Sequence, residues 1–170
     1  MIGHFHYVVA PGTIFALFAG VYYWFPKATG RKMNELLGKI HFYGSFVCMN
    51  VIFMPMFVQG LAGMNRRLYD GGVQYAHNQD VLHLHLWIGM AAWTMFLFQL
   101  PFIYNFFTSI KRGEKVGINP WEATTLEWSA PSPPPHGNFL TEPVVYRGPY
   151  EYSVPGAARD FTPQFEPEKA

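Results

Sequence analysis

Hydrophobic and polar positions divide the chain into three long apolar stretches separated by short charged loops. Residues 1–26, 40–65 and 81–110 contain no Asp, Glu, Lys or Arg. Each stretch exceeds the ~20 helical residues that cross a hydrocarbon core of ~30 Å. The pattern therefore predicts an all-α membrane protein with three transmembrane helices, at about 4–26, 38–61 and 81–108. Pro55 and Pro101 fall late in the second and third helices, and Pro55 is expected to kink its helix.

The composition changes after residue 110. Residues 111–170 hold ten of the fourteen prolines and fourteen of the twenty-three charged residues, including the run Pro131-Ser132-Pro133-Pro134-Pro135. Such a segment is expected to be extended and unable to form a core of its own. We therefore divide the chain into a transmembrane part, residues 1–110, and a Pro-rich tail, residues 111–170. The tail either lies against a partner or the membrane face, or remains solvated.

The loop charges predict the orientation of the helices in the membrane. Two crossings separate the 27–39 loop from the 111–115 segment, so both lie on one side, which carries Lys27, Arg31, Lys32, Lys39, Lys111, Arg112 and Lys115. The other side carries Arg66 and Arg67, balanced by Asp70 and Asp80. The positive-inside rule then predicts a protein integral to the cell (inner) membrane with a cytoplasmic tail. His4 and His6 start their helix near the outer face, on the same side as the arginine pair.

The remaining composition excludes several classes of function. The net charge of +1 provides no basic surface for nucleic acid. A single cysteine, Cys48, excludes an internal disulfide framework and any multi-cysteine metal site. The sequence contains no Gly-rich phosphate loop, no nucleophile–base pair and no Cys-x-x-Cys. Met1 is followed by no basic n-region or small-residue cleavage site, so no signal peptide is expected.

Polar residues inside the apolar stretches are the main candidates for function. Such groups are costly in a membrane and are usually functional or paired inside a bundle. We expect them to need neighbours from further helices, supplied by another chain or by a longer parent protein. They are His4, His6, His41, Asn50, Gln59, His83, His85 and Gln99.

The segment His4-Phe5-His6 opens the first apolar stretch. On a helix, residues i and i+2 are roughly 200° apart, so the two imidazoles cannot chelate one metal together. Two interpretations stay open from the spacing alone. The histidines are either polar interfacial residues bonded to neighbours, or each gives its imidazole to a separate group, as a pair of haems would require.

Three further polar groups allow two interpretations each. Arg66-Arg67 either anchors the membrane interface or binds an anion, because guanidinium groups match carboxylates such as haem propionates bidentately. In the second case Asp70 could hold an arginine when no propionate does. His83 and His85 repeat the His-x-His spacing, and interfacial hydrogen bonding is favoured over cofactor binding. His41 is interpreted as structural, and the aromatic cluster at residues 22–25 as an interface belt.

These residues together resemble a known family, the subunit I of haem–copper oxygen reductases of the cytochrome c oxidase type. The resemblance covers most of residues 3–139 and lies in five segments that follow the family's order and spacing. They are His4-Phe5-His6-Tyr7-Val8, residues 18–27, Leu37-Gly38-Lys39-Ile40-His41-Phe42, residues 60–67 ending in Asn65-Arg66-Arg67, and residues 126–135.

The resemblance implies the position of the chain and the roles of its residues. The three helices would be the last of about twelve in the family's bundle. His4 looks like the ligand of the high-spin haem that faces the active-site copper, and His6 like one axial ligand of the low-spin haem. Phe5 would lie between the haems, and Arg66 and Arg67 correspond to arginines that bind haem propionates. Each ligand imidazole should then need an acceptor for its second nitrogen.

The resemblance also implies what this chain lacks. Several functional residues of the family lie upstream of the matching segments. They are the copper-binding histidines, the second low-spin haem ligand, the cross-linked tyrosine and the proton-channel residues. The chain alone is therefore expected not to reduce oxygen. It is either truncated or a split subunit completed by a partner chain.

The implied activity belongs to the whole complex. It is four-electron reduction of oxygen to water coupled to proton translocation, with two haems, haem A type, and copper. The implied partners are the remaining subunit I helices, other oxidase subunits, the lipid bilayer and cytochrome c as donor, with quinol as the alternative. Two rivals stay open: a structural subunit that has lost its haems, and a di-haem membrane anchor that only transfers electrons.

Overall fold

The structure is a computed structural model that describes residues 1–150 and 162–167. Among these residues, three helical spans are long and apolar enough to cross a membrane: Ile2–Thr29, Glu35–Leu61 and Leu84–Arg112, of 28, 27 and 29 residues. At 1.5 Å per residue, each exceeds the ~30 Å hydrocarbon core. The prediction of an all-α membrane protein with three spans is therefore confirmed.

The first span is built from three segments. Helix α1, Ile2–Val9, continues into a π-helical segment, Ala10–Phe15, and then into α2, Ala16–Thr29. Pro11 is the second residue of the π segment, where it has no N–H to donate and its ring would clash with the carbonyl of Tyr7 in a regular α-helix. A wider local winding accommodates that ring without ending the span. The uniform helix expected over 4–26 is thus interrupted beside the His4-Phe5-His6 segment.

The second span, α3, is Glu35–Leu61. It begins three residues before the expected residue 38 because Asn34 caps it: the Asn34 side chain accepts a hydrogen bond from Leu37 N at 3.0 Å. It ends in a Schellman turn, with Gly63 at φ +87° and Met64 N donating to Gln59 O at 3.0 Å. The chain therefore turns sharply before Arg66.

The third span, α4, is Leu84–Arg112. A short 3₁₀ helix, Ala76–Val81, precedes it, so α4 begins three residues later than the expected residue 81. Pro55 and Pro101 both lie inside continuous helices.

The structure divides into two compact units. The first contains Met1–Val21 and Asn34–Thr108. In it the first span runs antiparallel to α3, as shown by ring contacts of His6 in α1 with Phe53 and of Phe18 in α2 with His41. Helix α3 also runs antiparallel to α4. The hydrogen-bonded pairs show this direction, because the residue number in α4 falls as the number along α3 and its cap rises. The pairs are Asn34–Asn105, His41–Gln99 and Gln59–His85.

The middle position of α3 is reflected in its burial. One third of its most apolar 18-residue window is buried, against 6% for each of the outer spans. The outer spans instead expose large apolar side chains such as Leu17, Trp93 and Phe96. Such surfaces need lipid or further helices to cover them.

The second unit is formed by Tyr22–Met33 together with the described residues from Ser109 onward. Two short strands, β1 (Arg31–Lys32) and β2 (Glu114–Lys115), pair antiparallel in it. After β2, the described part of the tail contains one 3₁₀ helix, Leu126–Ser129, and no other helix or strand.

A lysine and a tryptophan form the centre of this second unit. The Lys27 ammonium donates to Ala130 O at 2.6 Å and to Ile118 O at 3.2 Å, and lies 5.0 Å from the centroid of the Trp128 ring. Trp128 is 1% exposed, and the Trp121 indole N–H donates to Tyr23 O at 2.9 Å. The tail was expected to have no core of its own. The described residues show that it buries side chains by packing on residues 22–33, the end of α2 and the turn and strand that follow it.

Candidate functional site

The candidate site lies at the end of the first unit where α1 begins and α3 ends. Gly3 packs closely on α3, since a Cβ added to it would lie 3.0 Å from the Phe57 ring. The Tyr7 hydroxyl donates to Asn50 Oδ1 at 2.8 Å, and Asn50 Nδ2 donates to Phe46 O at 2.8 Å. These contacts fix which face of α1 meets α3, and with it the direction of the two histidines.

His6 has one ring nitrogen committed and one available. Its Nδ1 lies 2.8 Å from Ile2 O. A carbonyl only accepts, so Nδ1 carries the proton and the neutral ring keeps its lone pair on Nε2. The ring stacks on Phe53 at 5.3 Å and 22°, and Phe5 meets it edge-on at 5.5 Å. A fixed tautomer with a free Nε2 is what an iron ligand requires.

His4 and Phe5 are less enclosed than His6. Both are exposed, and no hydrogen bond from the described residues reaches the His4 imidazole. The two histidines therefore have different surroundings, one packed on α3 and one facing outward.

Arg66 and Arg67 follow the end of α3, at the same end of the first unit as His4 and His6. Both are exposed, and within the described residues neither forms an ion pair or hydrogen bond. Arg67 has φ +59°, which is uncommon for a non-glycine residue. The turn thus presents two adjacent guanidinium groups with all their donors available for an anion.

Asp70 does not hold either arginine. Its carboxylate accepts from Gly72 N at 3.0 Å and from Gln74 N at 2.8 Å. These backbone donors hold the pKa of Asp70 below its ordinary value. The suggestion that Asp70 acts as an arginine partner is therefore replaced by a turn-forming role, because both of its carboxylate oxygens accept from backbone groups of its own turn.

His83 and His85 differ from each other in the structure. His85 Nε2 donates to Gly71 O at 3.0 Å, which leaves Nδ1 to accept from Gln59 Nε2 at 3.4 Å. Both of its nitrogens are used, so it has no lone pair for a metal. His83 is exposed, and its imidazole has no hydrogen bond among the described residues.

The other polar residues of the spans find partners within this chain. His41 Nε2 donates to Gln99 Oε1 at 3.0 Å, and Gln99 Nε2 donates to Ser45 Oγ at 2.9 Å. His41 is 2% exposed, in agreement with the structural role expected for it. Of the eight polar residues expected to need outside neighbours, only His4 and His83 lack a side-chain hydrogen bond among the described residues. The need for further helices thus rests on the exposed apolar faces and not on these polar groups.

Several residues of interest were not identified from the sequence. Phe53 supports the candidate ligand helix through its ring contact with His6 but looks like an ordinary member of an apolar span, whereas its neighbour in this role, Asn50, was among the polar candidates. Pro11 did carry a signal, since proline inside a helix disturbs its hydrogen bonds. Residues 22–25 were interpreted as an interface belt and Lys27 as a charge of the following loop, yet Phe25 and Lys27 are buried. Trp24, at 52% exposure, fits the belt interpretation.

Comparison with known proteins gives one family. Residues 1–97 match the family model described as cytochrome C and quinol oxidase polypeptide I. The chain is 47% identical over 156 residues to cytochrome c oxidase subunit 1 of Synechocystis sp., covering 91% of this chain and 27% of that protein. It is 43% identical over 169 residues to the alternative cytochrome c oxidase subunit 1 of Bradyrhizobium diazoefficiens, covering 98% of this chain and 29% of that protein. The chain thus spans less than a third of the length of these curated relatives.

Proposed function

The chain belongs to the cytochrome c and quinol oxidase polypeptide I family, and we propose that it forms the C-terminal part of the catalytic subunit of a respiratory terminal oxidase. The C-terminal position is supported by the order of the His-Phe-His, arginine-pair and Pro-rich segments along the chain. In the whole complex the reaction is four-electron reduction of oxygen to water, coupled to proton translocation. Cytochrome c is the proposed electron donor, in keeping with the names of both relatives.

The availability of the His6 ring nitrogen carries this proposal. Because Ile2 O holds Nδ1–H at 2.8 Å, Nε2 is left as a ligand for the low-spin haem iron. His4, on another side of α1 and without a described hydrogen bond, is proposed as the ligand of the high-spin haem iron. Phe5 lies between them and contacts the His6 ring edge-on. The residues present therefore fit two separate irons better than one shared metal.

Arg66 and Arg67 are the proposed partners of the haem propionates. Their guanidinium groups lie at the same end of the first unit as His4 and His6 and carry no described counter-charge. Two fixed cations at this position would orient the cofactors and favour their ionised carboxylates. Asp70 supports this arrangement indirectly, because its carboxylate is occupied by the turn and does not compete for the arginines.

The bound cofactors would supply the electron transfer and oxygen chemistry. We propose two haems, of haem A type, with copper in the complete enzyme held by residues outside this chain. The role of this chain is to bind and orient: α3 positions α1 through Phe53 and the Tyr7–Asn50 hydrogen bond. The proposed partners are the remaining subunit I helices, the other oxidase subunits and the bilayer of the inner membrane, with the tail in the cytoplasm.

Haem spectra of His6 variants test the ligand assignment. The chain is purified with its membrane partners, and haem content and reduced-minus-oxidised spectra are measured for the unmodified complex and for His6→Ala. We expect His6→Ala to lose the low-spin haem signal, because no second imidazole on α1 can replace Nε2. His83→Ala is the matched control, an exposed histidine at the same end, and should leave the spectrum unchanged. Survival of the low-spin signal in His6→Ala would show that the assignment is wrong.

The same preparation distinguishes the alternative functions. A structural subunit without haems would give no haem signal that depends on either His4 or His6. A di-haem anchor would show both haems but consume no oxygen. The family description includes quinol oxidases, so oxygen uptake is compared with reduced cytochrome c and with a quinol as donors. Faster uptake with quinol would overturn the proposed donor while leaving the ligand assignment intact.

A further inference from the structure

The face of α1 that meets α3 is fixed by Gly3, His6 and Tyr7. A Cβ added to Gly3 would lie 3.0 Å from the Phe57 ring, and the His6 ring stacks on Phe53 at 5.3 Å. The Tyr7 ring also contacts Phe53, at 6.0 Å. At about 100° per residue, these three positions lie within one arc of about 100° around the helix axis. They define the side on which a regular α-helix would continue to face α3.

A regular α-helix continued from this face would bring Ile14 and Leu17 to α3. Ile14 lies seven residues after Tyr7, and Leu17 lies fourteen residues after Gly3, which is about two and four helical turns. Both side chains are instead exposed, by 49% and 64%. The contacts with α3 are made one residue later in each case.

Phe15 and Phe18 make these later contacts. The Phe15 ring lies 6.0 Å from Phe42, and the Phe18 ring lies 4.6 Å from His41. One residue is about 100° of rotation on an α-helix, so the two α3-facing sides of the first span are out of phase by that angle. The π-helical segment between them accounts for the difference, because i→i+5 winding takes up one residue more per turn than i→i+4 winding.

This rotation decides which residues of α1 face α3. If the same residues wound as a regular α-helix and α2 kept its contacts, each residue of α1 would take the place of the one before it. His4 would then occupy the position of Gly3, where even a Cβ would be in tight contact with α3. His6 would move to the position of Phe5, which is 57% exposed, and would leave the Phe53 ring. Both proposed iron ligands would be misplaced.

We infer that the π-helical segment around Pro11 positions both proposed iron ligands, because it takes up one extra residue and so turns α1 by about 100° relative to α2. Pro11 favours this winding, since it has no N–H for the Tyr7 carbonyl and its ring would clash with that carbonyl in an α-helix. Pro11 is thus a positioning residue that acts through the rotation of α1. The inference rests on the proposed haem ligands and adds what sets their direction.

Deletion of Pro11 tests the inference, because it removes one residue and the obstacle to α-helical winding together. A regular α-helix would then present Gly3, His6, Phe15 and Phe18 on one side, so both sets of contacts with α3 would be kept. We therefore expect the assembled complex to keep the low-spin haem signal, measured per complex in the reduced-minus-oxidised spectrum. Loss of that signal would overturn the inference.

Two variants of the same segment are matched to this deletion. An alanine inserted between Gly12 and Thr13 adds a second extra residue and a further rotation of about 100°, so the low-spin signal should be lost. Pro11→Ala keeps the residue number, and packing on both sides of the segment still requires the extra residue, so the signal should be kept. Loss of the signal in Pro11→Ala, or its survival in the insertion variant, would contradict the inference.

His6→Ala, measured in the same preparation, separates this inference from the proposed function. If His6→Ala and the deletion of Pro11 both lose the signal, the ligand assignment stands and the positioning role fails. A second readout does not depend on haem. Electron microscopy of the complex without Pro11 should show a continuous α-helix with Gly3 and Phe18 still against α3, and a rotated α1 would overturn the inference whatever the haem content.

Discussion

At the scale of single residues, the two His-x-His segments show what spacing cannot reveal. His4-Phe5-His6 and His83-Leu84-His85 have the same pattern, and both lie at the start of an apolar stretch. The structure separates them by their ring nitrogens. His85 uses both nitrogens in hydrogen bonds, whereas His6 uses only Nδ1. This difference depends on Gly71 and Gln59, which lie 14 and 26 residues from His85.

Asp70 leads to a prediction about pH. Its folded-state pKa is lowered, so its ionised form stabilises the turn fully above the unfolded value of about 4. That contribution is lost as the pH falls through the lower, folded-state pKa. We expect the 62–83 loop to become more open to hydrogen exchange in this acidic range, measured on the purified complex by mass spectrometry.

Asp70→Asn is the matched control for that measurement. The amide cannot titrate and retains one acceptor oxygen, so the same loop should show much weaker dependence on pH. An equally steep acid response in this variant would mean that another group controls the loop.

At the scale of helices, sequence patterns locate the spans but local chemistry sets their ends. Asn34 moves the start of α3 to residue 35 through its side-chain cap. Asn34 also contacts α4, because its N–H donates to Asn105 Oδ1 at 2.9 Å and its carbonyl accepts from Asn105 Nδ2 at 2.8 Å. One residue therefore ends a loop and fixes the register of two antiparallel helices.

Gly44 leads to a prediction about the packing of α3 on α4. A Cβ at this position would overlap the Phe98 ring, so the two helices approach closely only because residue 44 has no side chain. Gly44→Ala should destabilise the bundle by about 1–3 kcal/mol, as other overpacking changes do. The measurement is the thermal midpoint of the detergent-solubilised complex.

Gly89→Ala is the control for Gly44. Gly89 lies within α4, and an added Cβ would meet no atom within 4 Å. Its replacement should be neutral or should stabilise by up to about 1 kcal/mol through helix propensity. If both glycine variants behave alike, helix propensity and not the Phe98 contact determines the result.

At the scale of the whole molecule, Lys27 is the residue on which the second unit depends. Lys27→Met removes the donor to Ala130 O, and leaving this buried carbonyl without its partner costs about 1–3 kcal/mol. Ile118 O also loses Lys27 but keeps the Ser132 hydroxyl as a donor at 3.3 Å. We expect faster proteolysis of residues 116–130 in the intact complex. Lys39→Met is the control, because Lys39 forms only an exposed ion pair with Glu35 at 2.8 Å and should leave cleavage unchanged.

The predicted orientation has its own test in sealed vesicles. If the tail is cytoplasmic, a protease added to inside-out vesicles should cleave within residues 111–150, and the same protease should leave right-side-out vesicles intact. Cleavage from the outer side would contradict the positive-inside assignment. This result bears on topology alone and leaves the haem ligands untouched.

The sequence alone determined the class of the protein, its three spans and its family. These follow from charge-free stretches of sufficient length and from short ordered segments such as His4-Phe5-His6, all of which are local properties of the chain. Only the tertiary structure decided which polar groups remain available. The hydrogen-bond partners of His6, His85 and Lys27 are backbone carbonyls and distant side chains. Every residue has a backbone carbonyl, so the sequence does not show which carbonyl a side chain will bond.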